Sequence, residues 1–116
     1  MKPQVLFIIS GDPRKSPRPA EAIRIAAGVG AWKKADISVY LRDEAVRALS
    51  EYADEFVDED NYTRYLPIVR EFGRPIYVQA GAPGLEDLGE TAFAFEKITD
   101  GQLAIMAARS NYVLRF

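Results

Sequence analysis

The run Val5-Leu6-Phe7-Ile8-Ile9 constrains the fold of this chain more than any other feature. It is apolar without a break and rich in branched and aromatic residues. A strand with one wet face alternates polar and apolar residues. An unbroken run reads as a strand covered on both faces, as in a parallel sheet. Both covers must come from helices elsewhere in the 116 residues. The run stops at Ser10-Gly11-Asp12-Pro13, a cluster of turn formers.

The remaining elements follow the same logic. Arg14 to Arg18 is a basic loop holding Pro17. Ala20, Ile23, Ala26, Ala27 and Gly30 then recur at helical spacing, predicting a helix over about Pro19 to Lys33. Ile37 to Leu41 reads as the second strand. Asp43 is placed to cap a helix beginning Glu44-Ala45-Val46, with Val46, Leu49 and Ala53 turned inward. Asp54 to Asp60 reads as an acidic connection, and Tyr62 to Phe72 as a helix with a break expected near Pro67 and a cap at Gly73. Pro75 to Gln79 is the third strand, followed by a short helical turn within Leu85–Leu88. Ala92-Phe93-Ala94-Phe95 reads as extended. Thr99 or Asp100 caps a helix through Ala108, and Tyr112 to Phe116 is a last strand. The order β-α-β-α-α-β-(α)-β-α-β predicts one α/β domain over residues 1–116. It is a three-layer α/β/α sandwich around a mostly parallel five-stranded sheet.

Composition then narrows the chemistry. The chain has no cysteine and no histidine. Thiolate nucleophiles, persulfide carriers, Cys-ligated clusters, Ser-His-Asp triads and His zinc sites are therefore excluded. Carboxylate, Lys and Tyr chemistry remains open. Net charge is −2, but it is unevenly spread: residues 1–42 hold eight Lys/Arg against three Asp/Glu, while residues 43–60 hold eight acids and only Arg47. That is not the basic face of a nucleic-acid binder. No segment approaches the ~20 apolar residues of a membrane span, and the expected location is the cytoplasm.

Ligands of such sheets bind beyond the carboxyl ends of the strands. Two loops belong there. In the first, Gly11, Asp12, Arg14, Lys15 and Arg18 precede a helix N-terminus, an arrangement suited to an anion. No phosphate-binding glycine motif accompanies it, and a solvated basic loop paired with a neighbouring molecule's acids reads the same way. The second loop is Gln79-Ala80-Gly81-Ala82, followed by Pro83-Gly84. Its one functional side chain is the Gln79 amide, which has no acid–base power. The acids Asp54, Glu55, Asp58, Glu59 and Asp60 lack the spacing of a calcium loop and read as a solvated face. No cofactor is expected. The aromatic residues Tyr52, Phe56, Tyr62, Tyr65 and Phe72 exceed what two short helices bury, so part of them is expected in a subunit interface.

Taken in order, several segments resemble the DsrE/DsrF-like family, which includes YchN-type proteins and sulfur-relay subunits. They are the opening strand into Ser10-Gly11-Asp12-Pro13, the helix with Ala22-Ile23-Arg24-Ile25-Ala26, and the passage Val39 to Val46. Pro75-Ile76-Tyr77-Val78 and the terminal Tyr112-Val113-Leu114-Arg115-Phe116 complete them. The resemblance spans the whole chain. It implies a five-stranded sandwich assembling as trimers or hexamers, alone or with other DsrE-like subunits; the charge pattern and the lack of a long apolar segment give the expectation of no nucleic acid and no membrane partner. It also implies a persulfide-bearing cysteine at the end of the third strand, sometimes with a second three residues on. Gln79 and Ala82 stand at those places here, so the resemblance gives the pocket without its chemistry. The expectation is a non-catalytic, oligomeric ligand-binding or partner subunit. The alternative is an enzyme using Asp12, Arg14 or Tyr77, which needs a carboxyl of raised pKa. A response-regulator receiver is disfavoured, because Ser10, Gly11 and Gln79 fill its acidic positions.

Overall fold

The structure is a computed structural model that describes residues 2–50, 55–89, 91 and 93–116. Its five strands are β1 (Gln4–Ile9), β2 (Asp36–Leu41), β3 (Ile76–Gln79), β4 (Phe95–Ile98) and β5 (Tyr112–Arg115). They form one sheet in the order β4-β3-β2-β1-β5, and every pairing is parallel. The helices are α1 (Arg18–Ala31), α2 (Glu59–Arg70) and α3 (Asp100–Arg109).

The strand order explains the layers. From β1 to β4 the chain steps one way across the sheet, and right-handed crossovers put α1 and α2 on one face. The return from β4 to β5 runs the other way, so α3 crosses the opposite face. The main core lies under α1 and α2 and contains Phe7, Ile9, Ile23, Val39, Leu41, Leu66 and Val78. A smaller cluster of Leu6, Ile8, Tyr40 and Ile98 lies under α3, with Leu103 and Met106 packed against it. The unbroken Val5–Ile9 run is thereby accounted for: Phe7 and Ile9 face one layer, Leu6 and Ile8 the other. No described helix is long and apolar enough to cross a membrane.

Several boundaries differ from the sequence pattern. Asp43 does not cap an α-helix. Arg42 holds the cap position, and Asp43–Leu49 winds as a 3-10 helix. Side chains at i and i+3 align in that geometry, so Ala45 stacks with Ala48 and Val46 with Leu49, and all four are buried. Val46 and Leu49 point inward as the pattern requires; Tyr52, Ala53 and Asp54 lie outside the described residues. α2 begins at Glu59, which puts Glu59 and Asp60 in its first turn rather than in a loop. It also runs through Pro67 unbroken. Pro67 removes one backbone donor, while Tyr62, Leu66 and Val69 keep the helix seated on both sides of it. The helical turn after β3 is Pro83–Leu85. β4 starts where the alternating Ala92–Phe95 stretch was expected to end, because the parallel ladder pairs Phe95 with Ile76 and Ile98 with Gln79.

Candidate functional site

The β1 loop is built around Asp12. Its carbonyl accepts the Lys15 and Ser16 N–H groups, both at 3.0 Å, and its Oδ1 accepts the Arg14 N–H at 2.9 Å. The Arg14 side chain turns back onto the same carboxylate, with Nη2 at 2.9 Å from Oδ2. These bonds to Arg14 hold the Asp12 carboxyl below its ordinary value, against a smaller opposing effect of burial. A general acid at neutral pH needs the opposite shift. Gly11 is closely packed in this loop: a Cβ there would lie 3.2 Å from the Pro19 ring.

The anion reading of this loop is weakened by its own contacts. Arg14 also reaches Glu44 Oε2 at 3.5 Å, so its charge is answered by two carboxylates of the same chain. Among the amides at the start of α1, Arg18 N–H donates to Ser16 Oγ and Glu21 N–H to the Pro17 carbonyl. Pro19 has no N–H. Lys15 and Arg18 stay exposed at the loop's outer side.

Gln79 ends β3, half-buried, and its Oε1 accepts the Asp43 N–H at 2.9 Å. Asp43 has a left-handed backbone, φ 53°, a conformation that costs an L-residue about 1 kcal/mol or more outside Asn and Asp. The Gln79 amide thus clasps a left-handed corner at the end of β2, at a residue type that tolerates that conformation. Ala80 N–H donates to the Ile98 carbonyl at 3.0 Å, and Ala82 N–H returns to the Gln79 carbonyl at 3.2 Å. Gly81 supplies the positive φ of 81° that this tight turn requires. Ala82 is buried.

The corner Arg42-Asp43-Glu44 joins the two loops: the Asp43 N–H donates to Gln79, and Glu44 forms an ion pair with Arg14. Glu44 also pairs with Arg47, which reaches Asp87 Oδ2 at 3.1 Å. Asp12, Arg14, Glu44, Arg47 and Asp87 therefore form a chain of alternating charge from the β1 loop through the 3-10 helix to the turn at Asp87. A cleft of about 290 Å³ lies beside it, lined by Arg14, Arg47, Glu55, Phe56, Asp87 and Leu88. Arg42, Glu44, Arg47 and Asp87 were not singled out in the sequence. The one available signal was Arg47, the only cation in the acidic segment.

Two further sequence readings meet the structure here. The basic and acidic segments meet within the chain, through Arg14 and Glu44 and through the Val57 N–H on the Pro13 carbonyl at 2.8 Å. Of the aromatic group, Tyr52 lies outside the described residues and the other four are wholly or partly internal. Phe56 and Tyr62 are buried edge to face at 5.2 Å, while Tyr65 and Phe72 pack half-buried against the same core. Among the described residues no three acids converge as a metal site.

No family model matches the chain. No curated protein matches it in sequence. Among solved structures, the crystal structure of the ychN protein from E. coli superposes over 100% of both chains, with a TM-score of 0.80 and 18% identity. The fold of this chain is thus the fold of that protein.

Proposed function

We propose that this chain is a non-catalytic, self-associating subunit of DsrE-like architecture, related to sulfur-relay proteins but unable to carry a persulfide. Its crevice at the strand ends serves a small ligand or a partner. The observation that carries this reading is Gln79. At the end of β3, where the resemblance implies a sulfur-accepting thiol, stands an amide bonded to the Asp43 N–H at 2.9 Å. A side chain used in that way organises the corner rather than reacting. The sequence offers no thiol elsewhere. The likeness in fold to the ychN protein agrees with it.

Self-association draws support from the α3 side. A helix is about 10 Å across, whereas five strands span roughly 20–25 Å, so α3 alone covers less than half of its face. No residue of α3 is buried. Ile105 on α3 is 55% exposed, and on the other face of the sheet Tyr112 of the edge strand β5, paired with Val5, is 62% exposed. A trimer or a hexamer is the expected assembly. Sedimentation velocity at micromolar concentration should report a mass well above the 13.0 kDa of one chain, little reduced by high salt. A 13.0 kDa species under those conditions refutes the assembly.

A further inference from the structure

The Tyr40 hydroxyl and the Arg42 Nε are buried without a hydrogen-bond partner among the described residues. Tyr40 is 0% exposed. Buried polar groups are nearly always paired, so a fully buried, unpaired hydroxyl near a guanidinium nitrogen held only by an ion pair to Asp43 calls for an explanation.

They share one face. Arg42 keeps an extended backbone, φ −128° and ψ 162°, so the alternation of β2 continues through it and its side chain leaves on the side of Tyr40. Tyr40 lies opposite Tyr77, which puts Gln79, two residues on, on that face as well. Gln79 lies opposite Ile98, a member of the cluster around Tyr40. Two residues beyond Ile98, α3 begins. Its capping box satisfies the Thr99 and Gln102 N–H groups, leaving Asp100 and Gly101 as the donors that point out of the first turn. The charges of Arg42, Asp100 and Asp43 all act on the Tyr40 hydroxyl.

Donors therefore converge here: a phenol, a guanidinium, the NH2 of Gln79, whose oxygen is already engaged, and a helix N-terminus. We propose that this corner binds a small carboxylate monoanion, with Arg42 turning outward to admit it onto Tyr40. The class follows from the charges. Asp43 Oδ2 stands 3.7 Å from Arg42 Nε, and Asp100 opens α3, so a dianion meets two like charges. A planar carboxylate matches the fork of the guanidinium. The inference rests on the reading of the Gln79 loop as a pocket.

The test uses the full chain, labelled with nitrogen-15, titrated at constant ionic strength with sodium acetate and separately with inorganic phosphate. Acetate should give saturable shifts at the Arg42 Nε–H and the Gly101 amide, with a Kd on the order of tens of millimolar for so small a probe. Tyr40→Phe should weaken them about tenfold and leave Tm unchanged or higher, because it removes an unpaired hydroxyl. Arg42→Lys should weaken them too. Four results overturn the proposal: no saturable shift at these two groups below about 100 mM acetate, shifts unchanged in Tyr40→Phe, phosphate preferred over acetate, or a lower Tm in Tyr40→Phe. Sedimentation of the same samples separates the two readings. An assembled protein that ignores acetate fails this inference alone, and a monomer that responds fails the subunit reading alone.

Discussion

Gly30→Ala tests how α1 and α2 are fitted together. Gly30 is buried near the end of α1. A Cβ built there would lie 2.2 Å from Phe72 Cε2, 2.5 Å from Cζ and 2.8 Å from Cδ2. Carbon atoms need roughly 3.5 Å, so the ring must retreat by roughly 1.3 Å. Two effects compete. Alanine in place of glycine favours a helix by about 1 kcal/mol. Displacing a half-buried Phe gives up about 1–1.5 kcal/mol of burial, and the accompanying distortion costs about 1–3 kcal/mol more. The clash wins, and the variant should be less stable by about 1–3 kcal/mol.

The double variant isolates the cause. Phe72→Ala alone should cost about 2 kcal/mol, less than a fully buried ring. In that background Gly30→Ala should instead stabilise by about 1 kcal/mol, since only the helix preference is left. The coupling between the sites is then about 2–4 kcal/mol. Urea unfolding at one fixed protein concentration, followed by far-ultraviolet circular dichroism, measures all four proteins. Trp32 is a poor probe, being 65% exposed. The reasoning fails if Gly30→Ala raises the urea midpoint in the natural background. It fails equally if the two effects add to within about 0.5 kcal/mol.

Two other outcomes follow from the site. Arg14 holds the folded Asp12 carboxyl below its ordinary value of 3.8, so its stabilisation is complete above that value and is lost as pH falls through the lower, folded one. Urea midpoints of the natural protein and Asp12→Asn should therefore differ at neutral pH and converge in acid, whereas a gap that stays constant counts against the pairing. Gln79→Cys should create one accessible thiol titrating below about 8.5, because Arg42 and the start of α3 favour the thiolate. An inert thiol there would misplace the loop, and the natural protein, lacking thiols, should gain no sulfur mass from a persulfide donor.

The fold was legible wherever burial on both faces left a continuous apolar run. β1 is such a run; β2 and β3 are shorter and include Ser38 and Gln79, but their branched and aromatic residues still marked them as strands. β4 was displaced because it is an edge strand whose middle, Glu96 and Lys97, is exposed. Charge in that position keeps an edge from pairing with other chains, and it also erases the pattern a reader looks for. The stretch Ala92–Phe95 alternates more cleanly, yet the ladder with β3 begins only at Phe95. The 3-10 winding of Asp43–Leu49 was likewise hidden, since Ala45, Val46, Ala48 and Leu49 satisfy either helical period.

The place of the two candidate loops was legible and their wiring was not. The rule that ligands lie beyond strand ends located both loops. The corner that joins them depends on contacts between residues 36 and 40 apart in sequence, Asp43 with Gln79 and Arg47 with Asp87, and no local spacing reports those. The charge pattern shows the same limit from the other side. A basic first third followed by an acidic stretch suggested attraction between neighbouring molecules. In the folded chain Arg14 and Arg47 meet Asp12, Glu44 and Asp87 at home. That leaves less electrostatic attraction to hold neighbours together. Poorly covered apolar surface lies instead at Ile105 on α3 and, on the opposite face of the sheet, at Tyr112 and Leu114 of the edge strand β5. Assembly through either surface would be driven by apolar burial, which salt does not screen. An assembly that dissolves in high salt would place the contact at the charged corner instead.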